Sequence, residues 1–507
     1  MASAPISSLT TQYDRVRYPG RFYPQASPDR LATLATLYGL QPPPVDRCRV
    51  LEMGCGEGGN IVPLAYYFPH STFLGVDLAS SATERGNDMI QRMGLRNAEL
   101  RSQNLLQFPR DAGVFDYIVA HGVLSWVPLE VREQMLEICS RHLAPKGVAY
   151  FSYNTLPGGY LRSYARDLMR FHTRHISDSA NKTQQARSVV DFVVAAIGGP
   201  TMERELLKRE LRPYEGNDSF LFHDLIAEIN DPVYFLDFMD SAGRCGLQFV
   251  SESVLVFNRT AQFSEPVRRQ LDSVPDRLQR EQYLDFIHGR KFRQTILCRA
   301  GHDLDLNVTP ERIERLLIVS RMKPSDPNAD LLQCGELKFQ IGETTVVRCG
   351  APLPKAAFTV LGDSFPRALR YSELRDEACR RLGVDPAHVT LAEDAKLIQT
   401  LVSAFVNGAV DFHTHRFDGC TTVSQRPQAS ELARLQAGSQ SSVVSRNLTN
   451  VTLDDSTLLR GLIPLLDGSR DLQALMLDLS QTQGAPIPAS NLRKALEALA
   501  AHAILVA

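Results

Sequence analysis

The sequence predicts an α/β fold built on a mostly parallel sheet, with an antiparallel pair of strands at one edge, a helical insertion and smaller α+β modules toward the C-terminus. Three observations support this prediction. Between residues 46 and 155, short apolar segments alternate with helical patterns, as a parallel sheet with crossover helices requires. A glycine-rich turn follows the first apolar segment. Two β-like runs, at 248–257 and 292–298, come only after a long segment of helical character.

The elements of the first half follow one another in a regular order. We expect strands at 49–53, 72–76, 98–101, 115–120 and 148–153. Helices are expected at 60–67, 82–93 and 129–143, and a further helix opens at Asp231-Pro232 and runs to about residue 242. We interpret 248–257 and 292–298 as the antiparallel edge pair, so that the sheet closes only near residue 299.

A chain of 507 residues exceeds one hydrophobic core, and two to four domains are expected. We divide it into an arm at 1–45, a core at 46–160, a helical insertion at 161–230, a segment completing the sheet at 231–300, a middle module at 301–420, and a linker with a terminal module at 421–507. Both C-terminal modules show helices followed by a short strand, the pattern of a winged helix. The Ser-, Gln- and Asn-rich residues 421–450 are interpreted as a connector.

Composition excludes several classes of protein. The net charge of −2 gives no electrostatic indication of a nucleic-acid partner. The nine cysteines form no Cys-x-x-Cys pair, which argues against a zinc site or a redox dithiol. The N-terminus lacks a signal-peptide pattern, and no apolar run approaches the roughly 20 residues that span a bilayer. We therefore expect a cytoplasmic protein without a membrane partner.

The glycine-rich turn carries the main chemical signal, the sequence VLEMGCGEG at residues 50–58. Gly54, Gly56 and Gly58 allow the backbone to approach a ligand without an intervening Cβ. Together with Gly59 the turn also satisfies the dinucleotide fingerprint, which alone is weak. Glu52 favours S-adenosylmethionine (SAM) over a dinucleotide, because an acid there can receive the methionine ammonium group but would repel a pyrophosphate.

The ends of the next two strands supply further cofactor candidates. Asp77 can accept hydrogen bonds from both ribose hydroxyls of either cofactor, and we include its neighbour Leu78 in the site. Asn104 can accept a hydrogen bond from the adenine amino group through its amide oxygen, although without a charge. Leu105 can pack against the adenine face.

Ligands of open α/β sheets bind at the carboxyl ends of the strands, where three catalytic candidates stand. His121 follows the fourth strand and can contact the cofactor or act as a base. Trp126, the single tryptophan of the chain, either packs under a loop or forms a wall of the substrate pocket. Tyr153 ends the fifth strand and is either a core residue or a hydrogen-bond partner of the nucleophile.

Seven short segments carry a family resemblance. They are Tyr13-Asp14 with Tyr18 and Phe22-Tyr23-Pro24; residues 52–58; HGV at 121–123 with SWVP at 125–128; SYNT at 152–155 with PG at 157–158; EINDPVYF at 228–235; RQTILCR at 293–299; and LLDGSR at 465–470. With these segments the sequence resembles class I methyltransferases that carry a methyltransferase regulatory domain, a bacterial group that includes the rickettsial-type protein lysine methyltransferases. It departs from them at Gly159, where an aromatic residue is expected.

The resemblance implies a Rossmann-like class I methyltransferase sheet, SAM as methyl donor without a metal, and closure of the arm residue Tyr13 over the cofactor. It also implies that the added domains serve substrate recognition or formation of a homodimer. Methylation of protein lysine is the implied reaction, with methylation of a small molecule as the alternative. A SAM-sensing or DNA-binding regulator is a third hypothesis, although residues 491–500 offer only Arg493 and Lys494 as basic side chains.

Overall fold

The computed structural model describes residues 14, 16–258, 260, 262–305, 307–333, 335–341, 345–417, 420, 422–453 and 457–506. The chain divides into two compact units. Unit 1 comprises residues up to Arg21, Cys48–Ala65 and His70–His302. Unit 2 comprises Phe22–Arg47, Tyr66–Pro69 and Asp303–Ala507.

Unit 1 is built on a seven-stranded sheet with the strand order β3-β2-β1-β4-β5-β7-β6. Its strands are β1 (Arg49–Met53), β2 (Thr72–Asp77), β3 (Ala98–Ser102), β4 (Phe115–Ala120), β5 (Leu143–Asn154), β6 (Leu247–Glu252) and β7 (Phe292–Arg299). The first five strands are parallel, whereas β7 is antiparallel to both β5 and β6. The predicted antiparallel edge pair is confirmed. Leu51, Ile118 and Phe151 lie in the buried core that the sheet shares with its helices.

The helices of unit 1 fall into two groups. Those that accompany the sheet are Ile61–Tyr67, Ser80–Arg92, Leu129–His142, Phe235–Arg244, Glu265–Asp272 and Arg277–His288. Those of the insertion are Gly159–Thr173, Ser179–Ala196, Met202–Leu211 and Asp218–Leu221, followed by a π-helical turn at Phe222–Ile226. Met169, Leu207 and Leu225 belong to a separate apolar cluster within the insertion. This cluster gives the insertion a core of its own beside that of the sheet.

Three element bounds in unit 1 differ from the prediction by more than two residues. The strand expected at 148–153 begins at Leu143, because Leu143 pairs with Phe115 of β4 ahead of a register shift. The helix expected to open at Asp231-Pro232 begins at Phe235, because Val233 forms a parallel β-bridge with Thr155 and accepts a hydrogen bond from the Leu156 amide. The run 248–257 is a strand only as far as Glu252, and a 3₁₀ turn follows at Leu255–Asn258.

Unit 2 contains several small antiparallel sheets among helices. Its strands are β8 (Leu317–Val319), β9 (Lys323–Pro324), β10 (Leu337–Ile341), β11 (Thr345–Cys349), β12 (Leu369–Arg370), β13 (Asp411–His413), β14 (Ser442–Val444) and β15 (Asn450–Thr452). They pair in the orders β11-β10-β9, β12-β8-β13 and β14-β15. Its helices are Pro28–Leu37, Pro310–Ile313, Pro352–Ser364, Tyr371–Leu382, Leu391–Val406, Glu431–Ala437, Thr457–Leu465, Leu472–Gln483 and Ala489–Ala501.

The interpretation of residues 421–450 as a connector was wrong. This segment contains the helix Glu431–Ala437 and most of the hairpin β14-β15. Its polar residues make local hydrogen bonds: the Ser430 hydroxyl caps the helix by accepting from the Ala433 amide, and Gln436 accepts from the Val444 amide. The polar side chains that suggested a connector therefore cap a helix and bind backbone amides here. The expected terminal strand is a single bridge between Ala429 and Leu505.

The N-terminal arm also divides differently from the prediction. Residues 22–47 group with unit 2, because the helix Pro28–Leu37 places the Asp29 carboxylate against the backbone amides of Thr414 and His415. Of the described residues, only 14 and 16–21 of the predicted arm belong to unit 1. Over the part of the chain that the structure describes, no helix is long and apolar enough to cross a membrane.

Candidate active site

The glycine-rich turn after β1 has a backbone that requires glycine. Gly54, Gly56 and Gly58 all have positive φ, at 73°, 52° and 75°. A Cβ on Gly54 would lie 2.2 Å from Cγ2 of Val123, whereas one on Gly56 would meet no described atom within 4 Å. The turn is therefore tightly packed at its first glycine and open at its second, which leaves room for a ligand over the backbone.

Glu52 lies beneath this turn with one carboxylate oxygen unsatisfied. The residue is 4% exposed, and its Oε1 accepts a hydrogen bond of 2.6 Å from Nδ2 of Asn60. Its Oε2 is buried and receives no hydrogen bond from any described residue. Burial, with a smaller effect of Asp77, raises the pKa of Glu52 to about 8 against the opposing bond from Asn60. A buried acceptor without a donor fits a cationic ligand group, as the ammonium of SAM is.

Asp77 ties the turn to the following helix. Its Oδ2 accepts from the Gly56 amide at 2.8 Å, and its Oδ1 accepts from the Ala79 amide at 2.9 Å. Burial raises the pKa of this carboxyl despite these backbone donors. Each oxygen retains a second lone pair, so acceptance of ribose hydroxyls remains chemically open.

The three candidates for the adenine contact differ in exposure and in hydrogen bonding. The side chain of Leu78 is exposed, and Leu105 is buried. The amide oxygen of Asn104 accepts a hydrogen bond of 3.0 Å from the Leu106 amide, because Asn104 caps the 3₁₀ turn Leu105–Gln107. The oxygen expected to receive the adenine amino group is thus already engaged through one lone pair.

The described part of the arm crosses the glycine-rich turn. Arg17 donates two hydrogen bonds, of 2.8 and 2.9 Å, to the Glu57 carboxylate, which also accepts from Arg85 Nε at 2.7 Å. Burial disfavours ionisation of Glu57, but the two arginines hold its pKa below the ordinary value. A Cβ on Gly59 would lie 2.6 Å from both the backbone N and O of Arg21, so that this crossing requires glycine.

Tyr13, the arm residue expected to close over the cofactor, lies outside the described residues. Sequence reasoning missed the Arg17–Glu57 pair. The acid inside the glycine-rich turn, Glu57, is the sequence signal that could have indicated this pair.

His121 stands at the carboxyl end of β4, as predicted. Its Nδ1 lies 2.9 Å from the Tyr150 hydroxyl and 3.3 Å from the Ser152 hydroxyl, which accepts from the Gly122 amide at 2.7 Å. Burial lowers the pKa of His121 to about 3. The imidazole is therefore neutral at physiological pH and a weak proton acceptor, which argues against the role of base.

The other two catalytic candidates, Trp126 and Tyr153, have different environments in the structure. Trp126 is half-buried in the 3₁₀ turn Leu124–Trp126, beyond the end of β4. Tyr153 is 1% exposed; its hydroxyl lies 3.0 Å from that of Thr295, and its ring packs 4.5 Å from that of Phe238. Tyr153 is thus a core residue in this structure, and we do not retain it as a partner of the nucleophile.

A small, shallow cleft opens at the carboxyl end of β5. It is lined by Asn154, Gly159, Arg162, Ser163, Arg166, Asn230, Pro232 and Lys291. Sequence reasoning did not select this set, because its members come from the end of β5, the insertion, the segment at 230–232 and the start of β7.

Two neighbouring contacts shape this cleft. Nδ2 of Asn154 donates a hydrogen bond of 2.9 Å to Oδ1 of Asn230. A Cβ on Gly159 would lie 2.9 Å from Cβ of Pro232, so that a side chain at this position would require one of the two segments to shift.

Comparisons with known proteins assign three segments of the chain to known families. Residues 50–147 match a model described as a methyltransferase domain, residues 217–299 match a predicted methyltransferase regulatory domain, and residues 425–485 match a PKMT C-terminal winged helix domain. The uncharacterized protein RP028 of Rickettsia prowazekii is 36% identical over 45% of this chain and 93% of its own length. The chain belongs to the class I SAM-dependent methyltransferases with a methyltransferase regulatory domain.

Two further relatives of this methyltransferase cover most of its length. The uncharacterized protein RP789 of Rickettsia prowazekii is 29% identical over 92% of this chain and 84% of its own. The structure of PKMT2 from Rickettsia typhi in complex with AdoHcy is similar with a TM-score of 0.86 at 25% identity, covering 97% of this chain and 100% of that chain. SAM is thus the methyl donor, and the acceptor remains to be inferred from the site.

Proposed function

We propose that this methyltransferase transfers the methyl group of SAM to the side-chain nitrogen of lysine residues in a protein substrate. One observation carries the proposal: the likeness to PKMT2, whose name abbreviates protein lysine methyltransferase, covers 97% of this chain, with a TM-score of 0.86. It extends far beyond the methyltransferase domain at residues 50–147 and includes the region of the PKMT winged helix domain. Large appended segments fit a macromolecular acceptor better than a metabolite.

We assign the donor site to the residues around the glycine-rich turn. Glu52 Oε2, buried without a donor among the described side chains, would receive the ammonium group. The open backbone at Gly56 and the carboxylate of Asp77 would hold the ribose end. The remaining members of the proposed site are Tyr13, Gly54, Gly58, Leu78, Asn104, Leu105 and His121.

When bound, SAM supplies a methyl group already activated by a sulfonium. The protein then contributes mainly position, which can supply roughly 7–11 kcal/mol of the barrier. A lysine amine must first lose a proton from a pKa near 10.4, and transfer into a desolvated site lowers that pKa. Neutral His121, with its pKa of about 3, adds no positive charge that would repel the arriving ammonium. We assign no catalytic base.

The acceptor side of the site lies at the ends of β4 and β5. There the Ser125 hydroxyl accepts from the Asn154 amide at 2.8 Å, and the Ser125 carbonyl accepts from the Asp231 amide at 2.9 Å. These bonds join the turn after β4 to the end of β5 and to the regulatory segment. They support a rigid wall on which an acceptor side chain can be oriented.

The proposal is tested with isotopically labelled SAM added to a lysate of the source cells, followed by mass spectrometry. We expect label in protein bands and a methyl group on lysine side chains, lost with an Asp77→Ala variant. Label found only in the organic extract would overturn the proposal in favour of a small-molecule acceptor. Salt-dependent DNA binding without turnover would instead identify a regulator.

A further inference from the structure

We propose that the cleft at the end of β5 binds an acidic side chain of the protein substrate, close to the lysine that is methylated, and that an exposed aromatic face beside it receives a neighbouring apolar residue. This inference rests on the proposed function. It commits to one occupant, an extended acidic segment of the acceptor protein.

Positive charge dominates the cleft. The cations at or next to its lining are Arg162, Arg166, Arg170, Arg209 and Lys291, and the carboxylates that interact with them are Asp167, Glu210 and Asp224. Glu210 is almost fully buried behind the cleft, where it pairs with Lys291 and lies 4.0 Å from Arg162. Burial raises the pKa of Asp224 to about 6, so this carboxyl stays mostly ionised at neutral pH and offsets part of the positive charge.

Two of these cationic side chains are partly exposed and can contact a ligand. The side chains of Arg162 and Lys291 are 24% and 27% exposed. Arg162 Nε is buried on the side of Glu210, and Nη1 of Arg162 donates a long hydrogen bond of 3.5 Å to Oδ1 of Asn154. Arg166 donates hydrogen bonds to the backbone carbonyls of Leu225, Ala227 and Glu228. These acceptors are neutral, so they do not cancel its positive charge. A carboxylate at the cleft would meet the exposed parts of Arg162 and Lys291 and an excess of positive charge.

The same charge excludes the target lysine from this cleft. A lysine ammonium carries the sign of the lining, and like charges within a few ångströms repel. The amine that accepts the methyl group must therefore approach by a separate path past the end of β4. The cleft is left for an acidic neighbour of that lysine.

An aromatic face adjoins the cleft. Gly159 and Pro232, both in the lining, lie against each other. Tyr160 is next to Gly159, Tyr234 is two positions after Pro232, and the two tyrosine hydroxyls are 3.5 Å apart. Tyr234 stacks on Phe286, with ring centroids 6.0 Å apart and an interplanar angle of 26°. Tyr160 is 58% exposed and Phe286 54%. Exposed, clustered aromatic rings beside a charged pocket are typical of protein docking surfaces.

The test uses the full chain, the acceptor protein identified by labelling, and peptides around its methylated lysine. Arg162→Gln should raise the KM for the acceptor by about tenfold, the size of one charge-assisted contact. Tyr160→Ala should raise it by a similar factor through lost apolar contact, and the calorimetric Kd for SAM should be unchanged in both variants. Tyr160 is exposed, so its variant tests the surface even where loss of Arg162 impairs folding. Arg141→Gln, on the exposed face of Leu129–His142, is the matched control and should leave both constants unchanged.

Charge exchange makes the test specific. A peptide in which the acidic residue is replaced by lysine should be methylated more slowly by the wild-type enzyme. The Arg162→Glu variant should restore the turnover of that peptide. Peptides whose acidic residues can all be neutralised without a change in KM would overturn the inference while leaving lysine methylation intact. A labelled small carboxylic acid whose KM depends on Arg162 would overturn both the acidic-segment occupant and the proposed function.

Discussion

Asn60 donates a hydrogen bond of 2.6 Å to Oε1 of Glu52, while Oε2 of the same buried carboxyl receives none from the described residues. The amide thus orients the acid and leaves one oxygen for a ligand. This arrangement gives the glycine-rich turn a cation-binding end, and the first two predictions follow from it.

Replacement of Glu52 by Gln should weaken SAM binding by about ten- to a hundredfold, because one charge-assisted hydrogen bond of about 1.5–3 kcal/mol is lost. Calorimetry measures the Kd. At pH 8 the variant should also unfold at the same or a higher temperature, since a buried acid with a raised pKa costs stability. Glu99→Gln, an exposed acid paired with Arg101, is the control. An unchanged Kd in the Glu52 variant would contradict our placement of the donor site.

The affinity for SAM should depend on pH through Glu52. Below its folded pKa of about 8 the free carboxyl holds a proton that must leave before it can bind an ammonium group. Affinity should therefore rise about tenfold per unit as pH increases toward 8. Conversely, the free energy of unfolding without SAM should fall as pH rises from the ordinary pKa of 4.5 to about 8, because the folded chain binds the extra proton. Calorimetry in buffers of different ionisation enthalpy counts the released proton, and a flat profile would count against this linkage.

Gly54→Ala should abolish detectable SAM binding and destabilise unit 1. The new methyl group would lie 2.2 Å from Val123, at a φ of 73° that costs about 1–3 kcal/mol for a residue with a side chain. Gly94→Ala is a matched control, since Gly94 has a φ of 63° but no described atom within 4 Å of its added Cβ. Thermal denaturation and calorimetry are measured on both variants. Backbone strain affects both, whereas the clash affects only Gly54→Ala. Equal effects at the two positions would show that the packing against Val123 is unimportant.

His121 should remain neutral throughout the pH range in which the protein is folded. Burial lowers its pKa to about 3, so no ionisation near the ordinary value of 6.5 is expected from this ring. An NMR titration of its ring protons, assigned through a His121→Asn variant, measures this directly. A midpoint near neutrality would restore His121 as a candidate base.

Asp29→Asn should destabilise unit 2 by about 3 kcal/mol, as the breaking of a buried ion pair commonly does. Asp29 accepts from His413 Nδ1 at 2.7 Å and from the Thr414 amide and hydroxyl at 2.8 and 2.9 Å. Burial favours the neutral acid, but these partners hold the pKa of Asp29 below its ordinary value. Burial likewise disfavours charged His413, yet Asp29 raises its pKa.

The pH dependence of this pair has a definite sign. Stabilisation by Asp29 should be lost as pH falls through its lowered pKa, and that by His413 as pH rises through its raised pKa. Melting temperatures of the wild type and of Asp29→Asn, measured across pH, should therefore differ most between those two limits. Asp363→Asn, an exposed acid paired with Arg381, should change little. A constant difference at every pH would mean that the pair is not ionic.

Local pattern was sufficient for the sheet and for the donor half of the site. β1 and β4 lie at their predicted bounds, because a short apolar run between turn residues has few alternatives as a buried parallel strand. Glu52 and Asp77 stand at the ends of β1 and β2, so their places follow from strand register alone. Pattern failed at 421–450, where Ser and Gln make caps and bridges that composition cannot distinguish from a flexible linker.

The sequence by itself determined that this chain has a methyltransferase sheet with an acid beneath a glycine-rich turn, since each feature depends on residues close together in the chain. Only the tertiary structure decided that Tyr153 is core, that residues 22–47 join unit 2, and that Arg162, Asn230 and Lys291 share one cleft. The bond between Asp29 and His413 spans 384 positions. Contacts of that range depend on how whole elements pack, and no local periodicity encodes them.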